Sequence, residues 1–355
     1  MARDLATLGW EPFFAEQLRG DDARLSPARV IAEQRGAYRI LGADDVETWA
    51  VVPGRLRRLA DPLGLPAVGD WVLVRRRVND TRAMIERVLD RRSAFTRRAA
   101  GQDVPQVVAA NVDVVLIVTS MNRDLNPRRL ERYLTLAWNS GAAPAIVLSK
   151  ADLCSDSAPI LAEVAKVAPE VPLHVVSAVD GRGLAELEAY VGPGRTAVLL
   201  GSSGVGKSTL VNALAGREIQ AVGETLPDDR GRHTTTSRQL VFLPSGGMII
   251  DTPGMREVGL VGDEEGLERA FGDVVEIAAR CRFRDCRHQT EPGCALREAL
   301  ASGALSRERW ESYLKLQQEL SLQATLADQD EARRARSRGR RPRPGLNPAP
   351  PHRRR

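Results

Sequence analysis

Ala197-Val198-Leu199-Leu200-Gly201-Ser202-Ser203-Gly204-Val205-Gly206-Lys207-Ser208-Thr209 decides the fold. An apolar run of strand length enters the pattern G-x-x-x-x-G-K-[ST], and residues 210–215 continue with helical character. Strand, loop and helix in this order are the context that gives the pattern its meaning. The glycines let backbone N–H groups close around phosphate oxygens at a helix N-terminus, which favours anions. Lys207 is placed to reach the β- and γ-phosphates of a nucleotide, and Ser208 to ligate the Mg2+ that accompanies them.

Outward from this loop, apolar runs of strand length recur at 112–118, 145–148, 173–176, 197–200, 240–243 and 248–250. Helical stretches lie between most of the first four, one of them with Leu130, Tyr133, Leu134 and Trp138 on one face. Strands apolar along their whole length belong to a parallel sheet covered on both sides. Residues 111–262 are therefore predicted to be an α/β, doubly wound nucleotide-binding domain.

Ser149-Lys150-Ala151-Asp152 ends the second of these strands and resembles the guanine-reading motif N-K-x-D, with serine where asparagine is usual. A carboxylate at Asp152 accepts from both N1–H and the 2-amino group of guanine; adenine has neither donor there. Ser177-Ala178, at the end of the next strand, resembles the short motif that meets guanine O6 through backbone N–H. Asp251-Thr252-Pro253-Gly254 follows the last apolar run and matches D-x-x-G, whose Asp holds Mg2+ through water and whose Gly N–H meets the γ-phosphate. Between the phosphate loop and this motif stand His233, Thr234, Thr235 and Thr236. One of these threonines is expected to complete the Mg2+ shell; spacing does not say which. His233 is a candidate for reaching the γ-phosphate, or else an exposed loop histidine. Met255 occupies the position where many GTPases carry a water-orienting glutamine, so slow intrinsic turnover is expected. The order of motifs is unusual: base-reading Asp152 precedes the phosphate loop, and Asp251 comes last. This is a circularly permuted arrangement, feasible where the old termini lie close together.

The flanks differ in character. Residues 1–34 are predicted to be an N-terminal arm, an amphipathic helix with an apolar cluster from Leu8 to Phe14. Residues 35–98 read as short strands between Gly and Pro turns, a small β-barrel, with 14 Arg against 8 acids. That charge suits a phosphate backbone. Residues 99–110 are expected to be a linker. Cys281, Cys286, His288 and Cys294 form C-x4-C-x-H-x5-C within 263–328, a helical segment. Three thiolates and one imidazole make a closed tetrahedral Zn2+ site, structural rather than catalytic. Such a site holds together a segment too small to fold on its own core. Ser306 is placed to cap a helix carrying Trp310, Tyr313 and Leu314, a stripe that lapses at Gln317 and Ser321, where packing is expected to end. Residues 329–355, rich in Arg and Pro, are predicted to be disordered.

The whole chain of 355 residues is 43 % hydrophobic and 27 % charged, with a net charge of +5. No run reaches the ~20 apolar residues of a membrane span, and the first residues lack a signal-peptide layout. With four cysteines, a secreted disulfide scaffold is not expected, and a cytoplasmic location is.

Gly69-Asp70, Ala110-Asn-Val-Asp113, S-K-A-D, the phosphate loop, G-R-H-T-T-T, D-T-P-G and C-x4-C-x-H-x5-C together resemble the ribosome small subunit-dependent GTPases, the RsgA family. The resemblance spans about residues 8–325. It implies an N-terminal OB-fold, a permuted GTPase domain and a C-terminal zinc domain. It also implies GTP contacts at 149–152 and 201–209, and zinc at Cys281, Cys286, His288 and Cys294. The partners it implies are the 30S subunit with its 16S rRNA, for a monomer that hydrolyses GTP when the subunit stimulates it. The rival expectation is a nucleotide-dependent RNA-binding module with incidental hydrolysis and relaxed base choice through Ser149. An ATP-driven remodelling enzyme is a third, against which Asp152 and the lack of a second motor domain both count.

Overall fold

The computed structural model describes residues 4–34, 36–54, 62–76, 80–98, 105–122, 125–219, 238–251 and 264–339. Its first elements are brief: a 3-10 turn at Leu5–Leu8, α1 at Pro12–Ala15 and a 3-10 turn at Gly20–Arg24. The left-handed Gly9 and the following Pro12 break what the apolar pattern suggests as one amphipathic helix. Leu8 and Phe14 are nonetheless fully buried, and Trp10 meets buried Trp71 edge-on with ring centroids 4.8 Å apart.

Five strands close a barrel: β1 (Ser26–Gln34), β2 (Ala37–Gly42), β3 (Thr48–Val51), β4 (Trp71–Arg75) and β5 (Arg82–Val88). Their order is β1-β2-β3-β5-β4 and back to β1, with only β3 and β5 parallel. This is the five-stranded barrel of an OB-fold. The barrel thus begins at Ser26, inside the segment predicted to be the arm. β1 hides from a pattern search because its middle residues, Ala28 to Ile31, are buried on both faces and include an arginine, so no alternation marks it. Beyond the barrel, β6 (Ala94–Arg98) and β7 (Pro105–Ala110) pair as a separate hairpin, where the sequence predicts the end of the barrel and a linker.

The central sheet contains β8 (Val114–Ser120), β9 (Ala143–Ser149), β10 (Leu173–Val175), β11 (Thr196–Leu200), β12 (Arg238–Phe242) and β13 (Met248–Asp251). In the order β10-β9-β8-β11-β13-β12, the first five run parallel and β12 runs antiparallel. Every residue of β8 and β11 is buried. One face is covered by α2 (Pro127–Ser140) and α3 (Ala158–Val167), the other by α4 (Leu184–Tyr190) and α5 (Lys207–Ala215). α2 starts where the Asn126 carboxamide accepts from the Arg129 N–H at 3.1 Å, and ends on left-handed Gly141. It buries the predicted Leu130, Tyr133 and Leu134. The other edge of β12 pairs antiparallel with β1, Ala32 opposite Gln239, so barrel and central sheet share one hydrogen-bonded sheet.

The C-terminal helices are α6 (Glu265–Ala270), α7 (Gly272–Ala278), α8 (Ala295–Ser302) and α9 (Arg307–Gly339). The Ser306 hydroxyl accepts from the Arg309 N–H at 3.2 Å, as its capping position predicts. Packing of α9 does not end at Gln317: Leu316 and Leu320 are both buried, because the covered stripe runs Tyr313, Leu316, Leu320. The helix also continues to Gly339, into the stretch predicted to be disordered, through a run of the strong helix formers Ala, Arg, Gln and Glu. Residues 340–355 lie outside the described residues.

Arm, barrel and central sheet meet at Arg29, which is 2 % exposed. Its guanidinium donates to the Leu8 carbonyl, to the Gly69 carbonyl at 3.2 Å, to the Asn111 carbonyl at 3.1 Å and to the Thr196 hydroxyl at 2.9 Å. Gly69 has φ +94°, and a Cβ there would lie 2.1 Å from the Ala110 carbonyl oxygen, so the joint admits only glycine at this position. Replacing Arg29 with Ala strands four buried acceptors, each worth about 1–3 kcal/mol. We expect Arg29→Ala to lower unfolding stability by at least about 3 kcal/mol in a urea titration, against less than about 0.5 kcal/mol for the exposed Arg75→Ala.

Candidate nucleotide site and metal centre

The phosphate loop leaves β11 at Gly201, where a Cβ would lie 2.4 Å from the Val118 carbonyl oxygen of β8. It enters α5 through left-handed Gly206, which presents the helix N-terminus to the loop. The Lys207 ammonium donates to the carbonyls of Gly201 at 2.8 Å and Ser202 at 2.5 Å, which holds it over the loop rather than in solvent. Ser208 follows in the first turn of α5. Asp251 ends β13, the strand beside β11, so its carboxylate is carried to the same edge of the sheet as Gly201.

The residues predicted to read the base close on this loop from the β9 side. The Ser149 hydroxyl donates to the Val205 carbonyl at 2.6 Å, with the Thr119 carbonyl at 3.3 Å. Serine has one proton to give, so the shorter contact takes it. Ser149 therefore fastens the base loop to the phosphate loop. Lys150 is left-handed, φ +59°, which turns the chain so that its stem passes Gly206, 4.0 Å from where a Cβ would stand. Ala151 is buried and donates its N–H to the Val176 carbonyl.

Asp152 is held by a partner that its own sequence neighbourhood does not reveal. The Ser177 hydroxyl, fully buried, donates to Asp152 Oδ1 at 2.8 Å and accepts from the N–H groups of Val179 and Asp180. The carboxylate is thereby oriented before any ligand arrives. The Ser177 backbone N–H is spent on the Arg182 carbonyl at 3.0 Å, which leaves Ala178 as the candidate of the pair predicted to meet guanine O6. Twenty-five residues separate Ser177 from Asp152, and only the sheet order β9-β10 brings them together. His233, Thr234, Thr235, Thr236, Gly254 and Met255 lie outside the described residues.

A second constellation sits between α7 and α8. Donor atoms of Cys281, Cys286, His288 and Cys294 all lie within 4.8 Å of one another. His288 Nδ1 is 3.6 Å from both the Cys281 and Cys294 sulfurs, which are 4.0 Å apart. A tetrahedron with Zn–S bonds of ~2.3 Å has edges of about 3.8 Å, so the donor set fits a zinc ion. The His288 ring stands edge-on to Trp310 of α9 at 5.9 Å, which ties the cluster to the long helix. Burial opposes ionisation of the Cys281 thiol, yet N–H groups of Leu296 and Ala295 at the start of α8 and the neighbouring thiols hold its pKa below the ordinary range. Partial burial and the adjacent Cys294 and Cys281 sulfurs push the Cys286 thiol up to about 11. Three crowded sulfurs that cannot all ionise alone are suited to a dication that neutralises them.

A phosphate loop between β11 and α5, with Asp152 just after β9 before it in the chain and Asp251 at the end of β13 after it, has the motif order of a circularly permuted GTPase. The sequence profile of the RsgA GTPase family matches residues 88–261. The chain is 46 % identical over 338 residues to the small ribosomal subunit biogenesis GTPase RsgA 2 of Vibrio parahaemolyticus, covering 94 % of this chain and 90 % of that protein. The crystal structure of YjeQ from Thermotoga maritima matches with a TM-score of 0.62 and 27 % identity, over 83 % of this chain and 98 % of that one. YloQ, a circularly permuted GTPase, shares the fold at a TM-score of 0.59 and 23 % identity, over 86 % and 98 % of the two chains. The chain belongs to the RsgA GTPase family.

Asp152→Asn turns an acceptor for the guanine N1–H and amino group into a donor facing one of them. That mismatch costs ~1–3 kcal/mol. GTP affinity, measured by fluorescent-nucleotide displacement, should fall about tenfold while xanthosine triphosphate gains; unchanged GTP affinity would remove Asp152 from the base site.

Proposed function

We propose that this chain binds the small (30S) ribosomal subunit through its 16S rRNA, hydrolyses GTP when the subunit stimulates it, and assists late maturation of that subunit. The observation that carries this reading is the 46 % identity, along 94 % of the chain, to a protein named as a small ribosomal subunit biogenesis GTPase. The site supports it: Lys207 is held over the loop by the Gly201 and Ser202 carbonyls. From there its ammonium can turn to the β- and γ-phosphates and stabilise charge during transfer. Ser208 and Asp251, with one threonine of 234–236, would hold Mg2+, which would supply further charge compensation. Gly254 is the candidate N–H donor to the γ-phosphate, and a methionine at 255 cannot orient water, so stimulation by the subunit has a task to perform. His233 is the candidate for that task within the chain. Among the described residues no helix is long and apolar enough to cross a membrane. We place the protein in the cytoplasm as a monomer.

In the cysteine cluster, Cys281, Cys286, His288 and Cys294 would hold one Zn2+ with no coordination position left for substrate, a structural role. Elemental analysis of protein purified without chelators should find one zinc per chain. Cys286→Ser should lose it and loosen α8 against α9, leaving GDP binding intact because the central sheet has its own core. Zinc-free protein with an ordered C-terminal segment would contradict this.

GTP hydrolysis by the full chain should be slow alone and rise at least tenfold with purified small subunits. Lys207→Ala should reduce the stimulated rate roughly a hundredfold or more. A brisk rate indifferent to subunits would overturn the proposal.

A further inference from the structure

Half of the cysteine cluster hangs on an irregular run of chain: residues 287–293 form neither helix nor strand. Yet His288 brings its Nδ1 to 3.6 Å from the sulfurs of both Cys281 and Cys294. Nδ1 sits nearer the main chain than the other ring nitrogen, so its place is set largely by the backbone at 288. That backbone is left-handed, with φ +61°. Residues other than glycine seldom adopt this conformation, and they keep it only where surrounding contacts over-determine it. Metal-ligating histidines are commonly oriented through their second ring nitrogen. Among the described residues no hydrogen bond reaches Nε2 of His288, so the orienting contacts lie elsewhere.

They lie on the main chain, and they come from Glu291. Its Oε1 accepts from the Arg287 N–H at 3.0 Å, and its Oε2 from the N–H groups of Gln289 at 2.9 Å and Thr290 at 3.0 Å. The N–H between them, that of His288, turns to the Cys286 sulfur. Four successive N–H groups are thus taken up by one carboxylate and one sulfur. A concave run of N–H groups of this kind binds anions, and here the anion comes from the chain itself. Bonds to a charged acceptor are about twice as strong as neutral ones. The carboxylate keeps its charge: its own N–H and that of Arg287, with those of Gln289 and Thr290, hold its pKa down to about 2. Three arginines stand in the same stretch, Arg282, Arg284 and Arg287, yet among the described residues none forms an ion pair with Glu291.

We propose that Glu291 is the positioning residue of the metal centre: its carboxylate grips the N–H groups on both sides of His288 and so holds Nδ1 where the metal is bound. The proposal rests on the reading of the cysteine cluster as a zinc site. Arg287 and Gln289 adjoin His288 directly, so the two bonds span the left-handed residue from one side to the other. Without them the turn relaxes toward ordinary backbone angles, Nδ1 swings away, and metal binding has to restore the geometry each time. A ligand set already in place avoids that loss of affinity. The sulfurs are placed differently. Cys294 is the N-cap of α8, the Cys281 N–H bonds to the Ala278 carbonyl at the end of α7, and the Cys286 N–H bonds to the Phe283 carbonyl at 3.3 Å. His288 is the ligand whose position depends on Glu291.

The test reads zinc retention by the full chain in competition with the chromophoric chelator 4-(2-pyridylazo)resorcinol, and ligand identity from the absorption spectrum of the Co2+-substituted chain. Glu291→Ala should weaken zinc retention roughly ten- to hundredfold. Glu291→Gln keeps one acceptor oxygen for Gln289 and Thr290 but turns an amide NH2 toward the Arg287 N–H, and should fall between Glu291→Ala and wild type. In Glu291→Ala the Co2+ d–d bands should move toward those of His288→Ala, as imidazole nitrogen gives way to water, while the thiolate-to-cobalt charge-transfer band persists. The double variant separates positioning from mere support of the loop. If Glu291 acts through His288, Glu291→Ala changes retention by less than about twofold once residue 288 is alanine. Wild-type retention in Glu291→Ala would overturn the proposal. So would an equal loss with and without His288, which would make Glu291 a cap on the turn with no bearing on the ligand. Failure of the zinc reading looks different: the wild type then carries no zinc and shows no thiolate charge-transfer band with Co2+, and both readings fall.

Discussion

A single buried cation holds three parts of this molecule in one frame. Arg29 sits on β1, the strand shared between the barrel and the extended sheet, and among the described residues none of its hydrogen-bond partners is a carboxylate. It donates to the carbonyls of Leu8, Gly69 and Asn111 and to the hydroxyl of Thr196, which belong to the arm, the barrel, the β7–β8 junction and the central sheet. Burial lowers its pKa to about 10, while Asp113 and Asp70 pull the other way, so it stays charged at neutral pH. Asp70, itself fully buried, is bound by both arms of the Arg91 guanidinium at 2.7 Å. Charges this deep are tolerable only with their donors and acceptors satisfied, and that requirement fixes geometry more strictly than apolar contact does. The β1–β12 pairing and the Arg29 fan together make the barrel and the GTPase sheet one body.

That shared frame explains why the permuted chain order leaves the nucleotide site intact. The site is built at the ends of parallel strands: Ser149 from β9, Gly201 from β11 and Asp251 from β13, with β8 between β9 and β11. Ligands of open α/β sheets bind outside these carboxyl ends. What matters is which strands are neighbours, and the register of each pair, not which strand the chain visits first. Ser149 makes the consequence concrete. Its hydroxyl reaches Val205 across 56 residues of sequence, so the S-K-A-D loop and the phosphate loop are fastened to each other directly.

Features that depend on local chemistry were legible in the residues alone. The phosphate loop, S-K-A-D, the apolar strands and the cysteine spacing each carry their own signal, and each occupies the element that signal predicts. Features that depend on tertiary neighbours were not. β1 is buried on both sides around an arginine, so its strand character is masked. The orienting bond from Ser177 to Asp152 and the loss of the Ser177 N–H to Arg182 arise where strand ends converge. On α9, the covered stripe passes through Leu316 and Leu320, one position before the polar residues at which a four-residue step loses it.

The C-terminal helices show how a charged contact can set orientation rather than stability. Arg309 of α9 donates to Glu131 of α2 at 2.8 Å, to Asp273 of α7 and to the Ala270 carbonyl, while its guanidinium lies 4.5 Å over the Phe271 ring. Arg132 of α2 returns a two-bond clasp to Glu319 at 2.6 and 2.7 Å. Glu131 is 2 % exposed and its Oε2 finds no donor among the described residues. A buried pair of this kind adds little net stability, because desolvation offsets most of the attraction. A slip of α9 along α2 is another matter, since it would leave the Glu131 charge buried without Arg309. The clasp therefore penalises every register but one. α2 follows β8, whose end adjoins the phosphate loop, and α9 carries Trp310 against His288 of the cysteine cluster. The helix that braces the nucleotide sheet and the helix that braces the cysteine cluster are thereby locked in a single alignment.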